Sequence, residues 1–376
     1  MGRLNREVTP LLTVIIPTYN EEHNIIPLTK RICQSLKGKE FEILFVDDST
    51  DGTTKVLEEL SRNNPNVRFI HRQNQRGLAT AVVEGFRTAR GDVLAVMDAD
   101  LQHPPEVLPR LLESIEKGND LVIASRFVPG GEDGGLTPLR RAISLTARLI
   151  GRLALKKVRP INDPLSGFFM LKKEVIEEVR LSPLGWKILM EVLVRGRYHR
   201  PAEVPYVFER RRGNHSKMSL TEQVNYLRHL VRLVLSSPED LRFWKFCLVG
   251  TTGIAVNMFF FLLFTRLFFL DMVLSALLST SLAIFGNFLL NDLFTWTQQK
   301  EDHMLSRAVK FYLCSGAGMV INVAVLSALH CYLRIPAIMA NGAGILASTA
   351  WNYYASNRWT WTSATSRLAN ENPDSQ

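Results

Sequence analysis

At 376 residues, with 46% of them hydrophobic and 45 Lys and Arg against 36 Asp and Glu, the chain exceeds one ordinary compact domain and carries a formal charge of +9. The positive excess matches an anionic partner. Because membrane-length apolar runs follow Asp240, a bilayer surface is the expected partner and nucleic acid is not.

The opening residues show no secretory signal: the first apolar run is short and stops at Pro17, so the first half is expected in the cytoplasm. Four cysteines (Cys33, Cys247, Cys314, Cys331) are scattered without CxxC or paired spacing, which argues against a disulfide framework or a zinc site. The first apolar run, LTVIIPTYN, reads as a strand entering a turn, and Glu22 to Leu36 as a helix. FEILFVDD is a second strand, with a helix after Asp51-Gly52; NVRFIHR is a third, with a helix from Leu78 to Ala89; DVLAVMD is a fourth. This alternation implies an α/β fold with a mainly parallel sheet and helices on both faces. Ligands in such sheets sit at the C-terminal strand ends. The polar clusters fall there: Thr18 to Glu21, Asp47 to Thr50, and Asp98-Ala99-Asp100. Neither GxGxxG nor GxxxxGK[ST] is present, so dinucleotide-oxidoreductase and P-loop readings lose their support. Asp47 and Asp48 could accept from a nucleotide's base or ribose; alternatively Asp48, Ser49 or Asp51 caps the next helix.

The stretch VMDADLQHPPE puts Asp98 and Asp100 at i and i+2 behind an apolar run, then Gln102 and His103 before two prolines. A metal site, an acid/base pair and a plain polar turn all fit that pattern. Further on, LVIASR ends an apolar strand on Arg126, and Arg140 and Arg141 open a helix. Two amphipathic segments, Leu139–Arg159 and Ser219–Leu235, carry apolar stripes with basic residues between them. In the second the stripe is Leu220, Val224, Leu227, Val231 and Val234. Both suit an anionic headgroup layer, and both could instead pack on the domain.

After residue 240 four segments are long enough to span a bilayer at about 20 residues each: Phe243–Leu263, Val273–Leu290, Phe311–Leu333 and Ala337–Tyr354. The region repeats itself. KFCLVGTTGIAVN from Lys245 returns as KFYLCSGAGMVIN from Lys310, and the same offset of 65 relates Asn257 to Asn322, Asn287 to Asn352 and Trp296 to Trp361. Such a constant register indicates duplicated helical hairpins. Basic residues precede span one (Arg228, Arg232, Arg242, Lys245), separate spans two and three (Lys300, Arg307, Lys310) and follow span four (Arg358, Arg367). The other loops offer mainly Arg266 and Arg334, so both termini are expected in the cytoplasm. Trp296, Trp359 and Trp361 suit a headgroup-level belt, and the four Asn residues suit interhelical hydrogen bonds.

PTYNE, VDDSTDGT, NQRGLATAVVEGF and DADLQHPPE together resemble the inverting family 2 glycosyltransferases of GT-A fold. DADLQHPPE and DPLSGFFML (Asp163–Leu171) resemble the polyprenyl-phosphate mannose synthases most, and the membrane half resembles the GtrA-like family. The likeness divides the chain into a transferase domain (1–215), an interface helix (216–240), a four-span domain (241–362) and a polar tail (363–376). It implies mannose transfer from GDP-mannose to dolichyl or another polyprenyl phosphate, with inversion to a β-linked product. UDP-glucose is the alternative donor. A lipid-sugar transporter with a nucleotide-binding domain is the alternative of another class. A processive synthase is disfavoured because QxxRW is absent.

A nucleotide-sugar donor leaves as a diphosphate, whose charge Mg²⁺ or Mn²⁺ suits, and these cations prefer oxygen ligands. Asp98, Asp100 and Gln102 are the expected metal set, with His103 behind them. By resemblance Pro17, Tyr19, Glu21, Val46 and Asp48 line the nucleotide, Ala99 meets the ribose, and Arg211 and Lys217 ride a closing loop. Lys187, in the apolar GWKILMEVL, is assigned to the diphosphate, since a buried ammonium is costly without an anion; the alternative is snorkelling to the surface. Arg126, Arg140 and Ser144 are expected at the acceptor phosphate. The same segment holds Glu191 alone, without the Glu-Asp pair that supplies a base to hydroxyl acceptors. That favours an acceptor already ionised.

Overall fold

The computed structural model describes residues 12–73, 76–134, 138–209, 220–297 and 302–361. Runs of Val, Ile, Leu and Phe too short for helices become strands, and each is followed by a segment of 3.6-residue periodicity. In chain order these are β1 (Leu12–Thr18), α1 (Glu22–Ser35), β2 (Phe41–Asp47), α2 (Thr53–Asn63), β3 (Val67–His71), α3 (Leu78–Thr88), β4 (Val93–Val96) and α4 (Leu108–Glu116). Then come β5 (Leu121–Ser125), α5 (Pro138–Ala154), β6 (Phe169–Lys172), α6 (Ile188–Arg195), β7 (Pro201–Pro205) and α7 (Leu220–Ser236). One seven-stranded sheet results, in the order β3-β2-β1-β4-β6-β5-β7. All its pairings are parallel except those of β6, which runs against both β4 and β5. The mainly parallel α/β architecture read from the sequence is the one found.

Every residue of β1 and β2 is buried, the usual state of strands covered on both faces. Alternate residues feed two cores. Ile15, Leu44, Val46 and Leu94 pack towards α3 and α6, while Val14, Ile16, Phe45 and Ala95 pack towards α1 and α4. Helix α3 lies close against β1 because Gly85 faces Ile15, where a Cβ would come within 2.3 Å of the Ile15 methyl. This topology positions the site. The C-terminal ends of β1, β2, β4 and β5 share one edge, and antiparallel β6 brings its N-terminal end there, Val96 pairing Phe169.

Helix α7 docks on this unit by Tyr226, His229, Leu230 and Leu233, all buried, and the Tyr226 hydroxyl donates to Ala147 O at 2.7 Å. Of the expected stripe, Val224, Leu227 and Val231 are exposed, with Leu235, and Val234 packs partly on the core. Helix α5 likewise exposes Leu145, Leu149, Ile150 and Leu153.

The second unit begins at Pro238 and is all-helical. Its helices are α8 (Pro238–Leu262), α9 (Met272–Leu290), α10 (Met304–Ser327) and α11 (Ala337–Ala355), each running on into a π-helical turn. Among the described residues three segments, Pro238–Leu267, Met272–Thr295 and Met304–Tyr332, are long and apolar enough to cross a membrane. Helix α11 is richer in Ala, Gly and Asn.

The duplication is visible in three dimensions. The Asn287 amide fills the space over Gly253, and 65 residues later the Asn352 amide fills the space over Gly318; a Cβ on either glycine would lie within 2.5 Å of it. Asn257 donates across to Thr280 at 3.1 Å. At one end of the bundle the hairpins grip each other. Arg307 of the second forks onto Asp292 of the first (2.9 and 3.1 Å), and Arg242 of the first reaches Asn357 of the second (3.2 Å). Each indole follows the same crossing: Trp361 Nε1 donates to Asp292 at 2.9 Å, and Trp296 Nε1 to Asn357 at 3.3 Å. The expected headgroup belt is corrected here. Trp296 and Trp361 are each 1% exposed and stack at 4.3 Å between ring centres, because each indole has a partner in the other repeat. Only Trp359 of the three is exposed.

Candidate active site

Pro17 and Val46 are paired neighbours at the ends of β1 and β2. Beyond them the two turns are laced together. Asn20, in left-handed backbone at φ 55°, donates its N–H to Ser49 Oγ at 2.8 Å and accepts from Thr50 N at 2.9 Å. Glu21 N donates to Thr53 Oγ1 at 3.1 Å, and the Glu21 carboxylate accepts from Asn24 at 2.6 Å. Tyr19 lies under the Arg76 guanidinium, 4.1 Å from its ring centre.

The two acids at the end of β2 are engaged by the protein. Asp47 is buried and accepts from Thr54 Oγ1 (2.7 Å), Ser49 N (3.2 Å) and His71 Nδ1 (3.0 Å). Asp48 takes a fork from Arg72, at 2.7 Å from Nε and 2.5 Å from Nη2, and accepts Gly77 N at 3.0 Å. Asp48, expected to face the nucleotide, thus ties down the connection from β3 to α3. Residues 74 and 75 of that motif lie outside the described residues. Arg72, His71 and Arg76 were not singled out from the sequence. Arg72 carries the same signal as Arg126, a cation just past an apolar strand.

Past β4 the chain makes a tight turn through Asp98, Ala99 and Asp100. Leu101 sits in left-handed backbone at φ 62°, strained for a residue with a Cβ. Asp100 Oδ1 accepts from Gln102 N at 3.1 Å, closing the turn. Gln102 is clamped to Glu209: its Nε2 donates to Glu209 O at 3.1 Å and its O accepts Glu209 N at 2.9 Å. Beneath them His103, 3% exposed, stacks on Phe168 at 5.3 Å and accepts the Asp98 N–H on Nδ1 at 3.0 Å. Burial pushes its pKa down to about 4, which keeps Nδ1 an acceptor at neutral pH. His103 therefore props the backbone of the acid turn. Gly167, from DPLSGFFML, comes so close that a Cβ would stand 3.2 Å from both Asp98 Oδ2 and His103 Cε1.

Asp98, Asp100 and the Gln102 amide form an oxygen-rich set suited to a hard cation that keeps waters or phosphate oxygens in its shell. Among the described residues no three His, Cys, Asp or Glu side chains cluster as a metal site on their own.

Cations surround this turn. Arg126 forks onto Asp163, Nε to Oδ2 at 2.8 Å and Nη2 to Oδ1 at 2.9 Å, with both side chains nearly buried. It is therefore an already paired cation, and its expected place at an acceptor phosphate would be shared with Asp163. Lys187 caps the start of α6 rather than lying within it, and its Nζ is 3.4 Å from Leu165 O. Burial lowers its pKa and neighbouring Arg126 lowers it further, while Asp163 and Asp98 act the other way. An arriving anion would relieve that cost.

Glu191 is fully buried and holds His229 Nε2 at 2.7 Å, Ser182 N at 2.8 Å and Arg195 Nε at 2.8 Å. Burial alone would raise its pKa, but the His229 and Ser182 hydrogen bonds lower it overall. Its role is to lock α6 to α7. Arg140 falls in the first turn of α5 and Ser144 one turn later, half-buried, while Arg141 approaches Asp133 at 3.3 Å. Arg211 and Lys217 lie outside the described residues.

Two family models match the chain: Glycosyl transferase family 2 over residues 13–180, and the GtrA/DPMS transmembrane domain over residues 245–361. It is 43% identical over 351 residues to the dolichol-phosphate mannosyltransferase of Pyrococcus furiosus, covering 93% of this chain and 99% of that one. The enzyme of the same name from Saccharomyces cerevisiae is 39% identical over 234 residues, covering 59% of this chain and 86% of that one. The polyprenol monophosphomannose synthase of Mycolicibacterium smegmatis is 37% identical over 216 residues, 55% of this chain and 80% of that one. Among solved structures, glucosyl-3-phosphoglycerate synthase of Mycobacterium tuberculosis, bound to Mn²⁺, UDP-glucose and phosphoglyceric acid, is similar at 20% identity and a TM-score of 0.47, over 60% of this chain and 79% of that one.

Proposed function

The chain belongs to the dolichol-phosphate mannosyltransferases, and on that premise we propose that it moves mannose from GDP-mannose to a dolichyl or polyprenyl phosphate, with inversion, on the cytoplasmic face of a four-span membrane anchor. The observation that carries this reading is the Asp98–Asp100 turn, an oxygen-ligand pair fixed at the sheet's ligand edge with Lys187 and Arg126 close by. When bound there, Mg²⁺ or Mn²⁺ supplies positive charge to the departing diphosphate.

In this scheme Asp98, Asp100 and Gln102 hold the cation, and Pro17, Tyr19, Glu21 and Ala99 line the nucleoside, while Val46, expected there, is fully buried in the core beside Pro17. Lys187 meets the diphosphate, joined by Arg211 and Lys217. An oxygen of the lipid phosphate attacks the anomeric carbon as the bond to the GDP oxygen breaks, which inverts that carbon. No proton has to leave the nucleophile, so no general base is required. The state of Glu191 supports this, since the one acid of α6 is held by His229 and Arg195. Arg126, Arg140 and Ser144 are assigned to the acceptor phosphate. The exposed apolar stripes of α5 and α7 would rest in the headgroup layer and keep that phosphate at reach.

The test is label transfer from GDP-[¹⁴C]mannose to polyprenyl phosphate in vesicles, with UDP-[¹⁴C]glucose in parallel. Mannose in the lipid fraction, lost in Asp100→Ala and dependent on Mg²⁺ or Mn²⁺, is the expected result. Glucose incorporation instead would replace the donor, and full activity in Asp100→Ala would remove the metal assignment.

A further inference from the structure

The two hairpins of the second unit are copies, so each serves as a control for the other. A position where one copy changes its chemistry within an unchanged fold marks a demand on that copy alone. One such change lies along α10 and α11, where Leu313, Ala317, Trp351, Tyr354, Arg358 and Trp359 line a groove of about 340 Å³. The corresponding residues of the first hairpin, 65 positions earlier, are Leu248, Thr252, Gly286, Leu289, Leu293 and Phe294. The second copy has therefore acquired two indoles, a phenol and a guanidinium where the first has Gly, Phe, Leu and Leu.

These additions make one surface. Trp351 Nε1 donates to Cys314 O at 3.3 Å, which lays the indole across the two helices as the groove's floor. Tyr354 and Trp359 are about half exposed, at 57% and 47%, and form its walls. The Arg358 guanidinium stands 5.6 Å from the Tyr354 ring centre, at the groove's end. That end holds the π-helical turn Ser356–Thr360, beside the cross-repeat grip of Arg307, Asp292 and Trp361. The apolar lining suits a hydrocarbon chain, and the guanidinium at its end suits an anionic head on that chain. A groove between two helices of one hairpin takes one chain, whereas a phospholipid brings two.

We infer that this groove holds a single-chain isoprenoid phosphate, its chain along Leu313, Ala317 and Trp351 and its phosphate at Arg358. The identity of the lipid rests on the acceptor class proposed above. The site would hold acceptor or product at the anchor, since both keep the phosphate.

The full chain in phosphatidylcholine nanodiscs, photolabelled with a diazirine-bearing polyprenyl phosphate and mapped by peptide mass spectrometry, tests this. Label is expected on α10 and α11, displaced by unlabelled polyprenyl phosphate and not by phosphatidylglycerol. Arg358→Leu, which restores the first copy's residue, should cut labelling about tenfold at sub-saturating lipid, the effect of one lost charge-assisted hydrogen bond. Arg358→Lys should keep it, which separates lost charge from lost fold. Equal labelling in Arg358→Leu, equal loss in Arg358→Lys, or displacement by phosphatidylglycerol would each overturn the inference. Failure of the wild-type chain to transfer mannose would instead defeat the acceptor reading, and the two results are read separately.

Discussion

Two acid pairs stand at the ends of the parallel strands on either side of β1, and they differ in what holds them. Asp47 and Asp48 hold their own loops: their carboxylates take His71, Thr54, Arg72 and Gly77, so the pair is a frame. At the second pair the support comes to Asp98 from outside: His103 accepts its backbone N–H and Gly167 gives its carboxylate room, while Asp100 accepts Gln102 N and closes the strained turn itself. A carboxylate pair alone therefore says little about chemistry; what sets its role is whether the support runs from the acid outward or inward to it.

Substitutions can break that contrast. The largest effect is expected for Asp98→Asn, which should cut kcat by roughly a hundredfold or more through loss of leaving-group stabilisation, with an unchanged melting temperature. Asp48→Asn should do the reverse. Leaving Arg72 buried without its counter-charge is expected to cost about 3 kcal/mol of stability or more, seen as a lower melting temperature, while kcat at saturating donor stays within a few-fold. Equal melting temperatures in the two variants would erase the distinction. Glu191 sharpens it from outside the pair. Its pKa is depressed in the fold, so its contribution is present above the unfolded carboxylate's pKa and is lost as pH falls through the folded value. Thermal melts should show wild type losing stability below about pH 4.5, with a shallower loss in Glu191→Gln. The smallest effect is expected for Gly167→Ala: a methyl at 3.2 Å from Asp98 should lower kcat by roughly tenfold without changing the melting temperature.

Much of this was legible in the sequence because local rules and tertiary demands agree. The strands are buried on both faces and read as unbroken apolar runs, and DADLQH shows its acids because nothing in an apolar run accounts for them. What escaped detection depends on partners far along the chain. Asp48 looks like a ligand until Arg72, 24 residues on, is placed beside it. Trp296 and Trp361 look like interfacial anchors because each stands among polar neighbours, and only the crossing of two repeats buries them. For helix α7 periodicity leaves headgroup and domain packing both open. Its docked face contains Tyr226 and His229, so the purer apolar stripe that periodicity finds is the one the domain leaves exposed. The residues expected to close over the donor, Arg211 and Lys217, fall outside the described structure.

The grip between the membrane hairpins has a further meaning in terms of descent. Arg242 reaches Asn357 while Arg307 reaches Asp292, and each tryptophan follows the same crossing. Contacts in which i meets j′ and j meets i′ are the mark of an isologous two-fold interface. A single ancestral hairpin with this arginine, acid and tryptophan carries both halves of its own dimer contact. Joining two such hairpins in one chain makes the partner permanent and leaves the two copies free to differ, as they do at Asp292 and Asn357, Leu293 and Arg358, and Gly286 and Trp351.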